Sequence, residues 1–137
     1  MDAIVIDTNI FISALIKEGL TRKILTDSKL NFLFPEFEFE ELNKNKEEIL
    51  KKTGINRREF YILFLRLLRY VRVIPTDVII NYREEADEII GNIDKDDVIF
   101  IATALAFSCF IWSNDKHFQK QNTVKVLTTK DMLSLIK

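Results

Sequence analysis

Ala3-Ile4-Val5-Ile6-Asp7-Thr8-Asn9 sets three β-branched residues after an alanine and ends the apolar run on an acid. A short run of this kind, with no polar alternation, reads as a strand buried on both faces, as in a parallel sheet. Ile10 to Ile16 continues as an apolar helix, and Gly19 just beyond supplies a stop. A strand that passes straight into a helix is the opening of a βα unit. The rest of the chain repeats that alternation.

A second short helix is expected from Thr21 to Ser28, and Phe32-Leu33-Phe34 before Pro35 reads as the next strand. From about Glu36 to Lys52 the positions of Phe37, Leu42, Ile49 and Leu50 predict one helix ended by Gly54. Asn56, with Glu59 three residues on, resembles a capping box for a helix reaching about Tyr70. Val71 to Ile74 before Pro75 is a third strand. A helix follows over about Ile80 to Ile90, stopped by Gly91, and another opens at Asp94–Asp97 and runs to Phe107. Phe110 to Ser113 and Val124 to Leu127 are the fourth and fifth strands, and Thr129 caps a terminal helix. Strands alternating with helices predict an α/β fold: one three-layer domain over residues 1–137, with a central, mostly parallel five-stranded sheet flanked by helices.

Composition narrows the chemistry. Of 137 residues, 47% are hydrophobic and 30% charged, which fits a packed core under a solvated surface. Burial at this length needs no disulfide, and the lone Cys109 in an apolar run reads as a buried thiol of a reducing cytoplasm. No apolar run reaches the roughly 18 residues of a membrane span, and Asp2 and Asp7 interrupt a signal-peptide reading. Only one histidine, His117, is present, which excludes an HExxH zinc site and any paired-histidine mechanism. No G-x-S-x-G run and no phosphate-cradling glycine loop occur. Carboxylate, hydroxyl and amide groups remain.

In open α/β sheets the functional crevice lies beyond the carboxyl ends of the strands. Asp7 ends the first strand and Asp115 follows the fourth by two residues, while Asp94, Asp96 and Asp97 open a helix entered from the same edge. Glu41 is a further contributor from the helix after the second strand, with Glu40 as the adjacent alternative. Crowded carboxylates repel one another unless a cation joins them. With no histidine or cysteine partner expected among them, the donors suit Mg²⁺ or Mn²⁺ better than zinc. Each acid also has an ordinary role: Asp7 or Thr8 as a helix cap, Asp94 and Asp97 as N-terminal helix charges, Asp115 as a turn residue. Glu41 also reads as one residue of a solvated face among Glu36, Glu38, Glu40, Glu47 and Glu48. The joint placement at one sheet edge favours the site.

Four motifs together resemble the PIN domain family, in particular the stand-alone, VapC-like prokaryotic PIN ribonucleases. They are Ile4-Val5-Ile6-Asp7-Thr8-Asn9, Glu41-Leu42 after Pro35, Asp94-Lys95-Asp96-Asp97 ahead of the Ala-rich Phe100–Leu105 segment, and Ser113-Asn114-Asp115-Lys116 after a strand. The resemblance implies that Asp7, Glu41, Asp97 and Asp115 bind the metal ions, that Asp94 is accessory, and that Thr8, Asn9 and Ser113 orient a carboxylate or the attacking water. It implies endonucleolytic cleavage of RNA by in-line attack of metal-activated water, and often a homodimer or a small antitoxin partner. RNA phosphates would be met by Lys44, Lys46, Lys51, Lys52, Arg57, Arg58 and Lys116, with salt-dependent affinity, although the net charge is only −1. These cations serve equally as a solvated face over the core, while Phe60, Leu63, Phe64, Leu67 and Leu68 read as core, some of them as a dimer seam. Two other classes are open to this sequence. A PIN-like scaffold would bind RNA or protein without cutting, and an aspartyl phosphatase would need a second Asp where Asn9 stands.

Overall fold

The computed structural model describes residues 3–136, so Met1, Asp2 and Lys137 lie outside it, and with them the part of the signal-peptide argument that rests on Asp2. Five strands form one sheet: β1 (Ala3–Ile6), β2 (Asn31–Pro35), β3 (Val71–Ile74), β4 (Phe110–Trp112) and β5 (Val126–Leu127). Their order is β3-β2-β1-β4-β5 and every pairing is parallel, with Val5 beside Leu33 on one side and Ile111 on the other. The β-branched run read at the N-terminus is thus the central strand. Ile4, Val5 and Ile6 are all buried, as a strand covered on both faces requires.

The order reverses beside β1. Crossovers from β1 to β2 and β2 to β3 carry α1 (Thr8–Ile16), α2 (Leu20–Asp27), α3 (Glu38–Lys44), α4 (Lys46–Thr53) and α5 (Arg57–Leu67). The return from β3 to β4 carries α6 (Thr76–Ile79), α7 (Arg83–Ala86) and α8 (Val98–Phe107), and α9 (Thr129–Leu135) follows β5. Right-handed crossovers running in opposite directions put their helices on opposite faces. Accordingly α1 packs on α2 and α5, while α8 lies on β1 and β2. Aromatic rings fill the first layer, with Phe11 stacked on Phe34 at 5.0 Å and edge-on to Phe64 at 5.7 Å. No helix among the described residues is long and apolar enough to cross a membrane.

Several expectations of local structure need correction. The helix predicted over 36–52 breaks at Asn45 into α3 and α4; Gly54, at φ 73°, supplies the expected left-handed stop. The helix predicted over 80–90 follows the short α6 and is fragmented into a 3₁₀ turn at Ile80–Tyr82, α7 and a wider π-type turn at Asp87–Gly91. Gly91 is part of that turn, and a methyl group there would stand 2.1 Å from Asp87 Oδ1. The terminal helix is capped by Thr128, with Asp131 completing the box, and Thr129 lies inside it. On α5, Phe60 and Leu67 are buried and Leu63, Phe64 and Leu68 pack against the core, so the exposed apolar residues are Tyr61, Ile62 and Leu65.

Candidate functional site

Order reversal leaves a crevice beyond the carboxyl ends of β1 and β4, where opposite crossovers diverge. Asp7 stands there as N-cap of α1: its Oδ1 accepts from the Ile10 amide at 2.8 Å and its Oδ2 from the Ser113 hydroxyl. Its amide donates to Trp112 O at 3.4 Å, extending the β1–β4 pairing to the site itself. Capping and clustering are therefore compatible roles of one buried acid. Ser113 Oγ, fully buried, also accepts from the Asp115 amide at 3.0 Å, so one hydroxyl links the two acids. Asp115 in turn accepts the His117 amide at 2.9 Å. The loop is anchored beside Asn114, which exchanges hydrogen bonds with Thr129 at 2.8 and 2.9 Å.

The other acids arrive from the β3–β4 crossover. Asp94 caps a 3₁₀ turn (Lys95–Asp97), its Oδ1 accepting from the Asp96 amide at 2.9 Å. Asp97 begins α8 but its side chain makes no capping bond. It is only 7% exposed, and its Oδ2 has no hydrogen-bond partner among the described residues. A buried carboxylate oxygen without a partner is costly, and such a group calls for an explanation. Burial first, then the charges of Asp94, Asp115 and Asp7, push the Asp97 carboxyl up to about 7, with His117 acting in the opposite sense. Burial also raises Asp7 above the usual carboxylate range, against the Ser113 and Ile10 hydrogen bonds that lower it.

Of these side chains Asp7, Asp97 and Asp115 line a cavity of about 860 Å³ that also reaches Thr8, Asn9, Phe37, Glu38, Glu41, Thr76, Ile79, Arg83, Asp87 and Lys95, while Asp94, Ser113 and His117 stand outside its lining. Asp7, Glu41, Asp97 and Asp115, drawn from four separate segments, therefore share one cavity, whereas Glu40 is exposed and does not line it. Glu41 is half-buried and stands 3.6 Å from Lys44.

Two residues escape the sequence reading. Glu38, grouped there with the solvated acids, is buried, and its Oε2 accepts from Thr8 Oγ1 at 2.9 Å. Burial raises its carboxyl, and Glu41, Asp96 and Asp7 add to the rise against the Thr8 bond. Its spacing of three from Glu41, which puts both on one helix face, is the signal that could have found it. His117 is the second. The sequence predicts acids without a histidine partner, but His117 Nδ1 lies 2.9 Å from Asp94 Oδ2 and 3.7 Å from Asp115 Oδ1. Asp94, Asp97 and His117 offer ligand atoms within 4.8 Å of one another, a spacing that can hold a cation.

A family model of the PIN domain matches residues 5–136, from within β1 to beyond α9. The chain belongs to the PIN domain family. No curated protein matches it. PIN domains are generally nucleases that use divalent metal ions and act on nucleic acids, and this PIN domain carries the carboxylate cluster such chemistry needs. The cations expected to meet RNA do not line its cavity; those that do are Arg83 and Lys95. Several of the former already have partners: Lys44 with Glu41, Lys52 with Glu48, Arg57 with Glu47, and Lys46 with the Tyr61 hydroxyl at 2.6 Å.

Proposed function

We propose that this PIN domain is a Mg²⁺- or Mn²⁺-dependent endoribonuclease that cleaves phosphodiester bonds of single-stranded RNA. The observation that carries the reading is the orphaned, buried Asp97 Oδ2 in a cavity it shares with Asp7, Glu41 and Asp115. Hard oxygen donors suit these two ions, and a cation would supply the partner that oxygen lacks. When bound, the ion supplies a lowered pKa to the attacking water and countercharge to the scissile phosphate.

The chain's own residues prepare the rest. Ser113 fixes one oxygen of Asp7 and the Ile10 amide the other, so Asp7 cannot rotate away from the crevice. Thr8 holds Glu38 in the cavity wall, giving a second helix carboxylate beside Glu41. Asp94 shapes the turn that presents Asp97, and Asn9 lines the rim. Arg83 and Lys95 offer the RNA phosphates positive charge inside the crevice, and Lys51, Arg58 and Lys116 offer it outside. The exposed stripe Tyr61, Ile62 and Leu65 on α5 fits a protein partner, either a second copy in a homodimer or a small antitoxin acting on a cytoplasmic toxin.

The test incubates pure protein with mixed single-stranded RNAs in Mg²⁺ or Mn²⁺ against chelator, and maps the ends produced. We expect metal-dependent internal cuts that Asp7→Asn abolishes together with Mn²⁺ binding measured by calorimetry. Cleavage that survives both chelator and Asp7→Asn refutes the reading. Binding of RNA with no cleavage in any metal establishes the scaffold instead.

A further inference from the structure

His117 is the only imidazole in the chain, and it stands 3.7 Å from Asp115, which lines the acidic cavity, without belonging to the oxygen-only set assigned above. Its Nδ1 lies 2.9 Å from Asp94 Oδ2. Neighbouring ligands of an octahedral ion with bonds of about 2.1 Å stand about 3 Å apart, so this separation suits two donors sharing one cation. Asp97 provides the third donor within 4.8 Å, and its Oδ2 is the buried oxygen with no partner. An ordinary His–Asp hydrogen bond accounts for the first pair but leaves the Asp97 oxygen unserved. No Lys or Arg among the described residues forms an ion pair with Asp94 or Asp97 that would make a metal superfluous.

We infer that Asp94, Asp97 and His117 form a second cation site at the rim of the cavity, with mixed nitrogen and oxygen donors, that takes a first-row transition dication such as Zn²⁺ or Co²⁺ in preference to Mg²⁺. Imidazole is a borderline donor that favours these ions, whereas Mg²⁺ demands oxygen and keeps its waters. The inference rests on the nuclease reading only in taking the cavity as a place for cations, and Asp97 is the residue common to both sites. Three features of the fold prepare it. The Asp96 amide holds Asp94 through Oδ1 and leaves Oδ2 toward His117. The Asp115 carboxylate accepts the backbone amide of His117 and so fixes the turn that carries the ring. Cys109 is no competitor, because burial pushes its thiol up to about 11 and a thiolate is the form that binds metal.

A single histidine makes the test direct. Tag-free protein labelled with ¹⁵N-histidine gives one pair of ring nitrogens, followed by two-bond proton–nitrogen correlation during titration with Zn²⁺ or Mg²⁺. One equivalent of Zn²⁺ is expected to move one ring nitrogen to a metal-bound position, and a large excess of Mg²⁺ is expected not to. In Asp94→Asn, with its fold checked by backbone amide spectra, Zn²⁺ affinity should fall at least about tenfold, the smallest loss seen when even a supporting group around a metal is removed. A ring unmoved by Zn²⁺ in the unaltered protein overturns the site, whatever the variants do. So does a Zn²⁺ response of equal affinity in Asp94→Asn or Asp97→Asn, which would place the ion elsewhere. RNA cleavage in Mg²⁺ is scored separately: a ring response without cleavage keeps this site and removes the nuclease reading, and cleavage without a response does the reverse.

Discussion

Replacing Asp97 by asparagine should make the metal-free protein more stable at pH 8 and less able to use a metal. The side chain is buried, makes no capping bond and leaves Oδ2 unpartnered, so the Asp97→Asn variant would forfeit no hydrogen bond from that oxygen. What it removes is the cost of an ionised carboxylate beside Asp94, Asp115 and Asp7. A carboxyl moved from 3.8 to about 7 binds its proton more tightly folded than unfolded. Metal-free stability therefore falls as pH rises from about 4 through about 7, then levels off. The full displacement corresponds to about 4 kcal/mol at pH 8, and relaxation of solvent and neighbouring acids brings the expected gain to about 2 kcal/mol. For a chain of this size that is about 7 °C in melting temperature. The assay is urea and thermal denaturation of both proteins in EDTA at pH 4, 6 and 8. The variant's advantage should be largest at pH 8 and vanish near pH 4. Saturating Mn²⁺ should raise the melting temperature of the original protein and leave the variant nearly unmoved, because only a ligand bound to the folded form stabilises it. A variant that is less stable at pH 8, or a difference that does not change with pH, would show that the buried charge is not what destabilises this cavity.

Other variants separate roles within the cavity. Glu38→Gln keeps the shape and the Thr8 contact but removes a buried charge, so it should stabilise the metal-free protein while lowering metal affinity; Glu41→Gln, half-exposed, should lower affinity with little change in stability, and calorimetry beside denaturation distinguishes them. Ser113→Ala strips a hydrogen bond from both Asp7 and the Asp115 amide. It should cost about 2 kcal/mol in stability and reduce cleavage more than it reduces RNA binding, measured by turnover and by gel shift.

How far the site can be read from the chain follows from what each residue's position depends on. Asp7, Asp97 and Asp115 are legible because each is tied to the end of a strand or the start of a helix, and a parallel sheet sends all such junctions of one kind to one edge. β1 is legible for the same local reason, since an unbroken β-branched run has few other solutions. Glu38 is not, because its burial depends on which face of α3 meets α1 and on the break at Asn45 that leaves α3 only seven residues long. An acid-rich run with a break inside it carries no periodicity from which that face could be read. The segment 80–90 fails similarly: side-chain pattern predicts a regular helix, and that pattern carries no mark of the 3₁₀ and π-type turns that interrupt it.

His117 shows the limit most clearly. Counting one histidine excludes mechanisms that need two, which is sound, but it does not exclude imidazole from the acidic cluster. Asp94 and His117 are 23 residues apart, with all of α8 and β4 between them. The buried helix α8 leaves the crevice, β4 returns to it, and the Asp115 turn then carries the ring back over Asp94. Each step is ordinary βα geometry, so the convergence can be deduced only once the strand order is known. A chain with a single histidine can still concentrate it where it matters, because topology, not abundance, decides what a carboxylate meets.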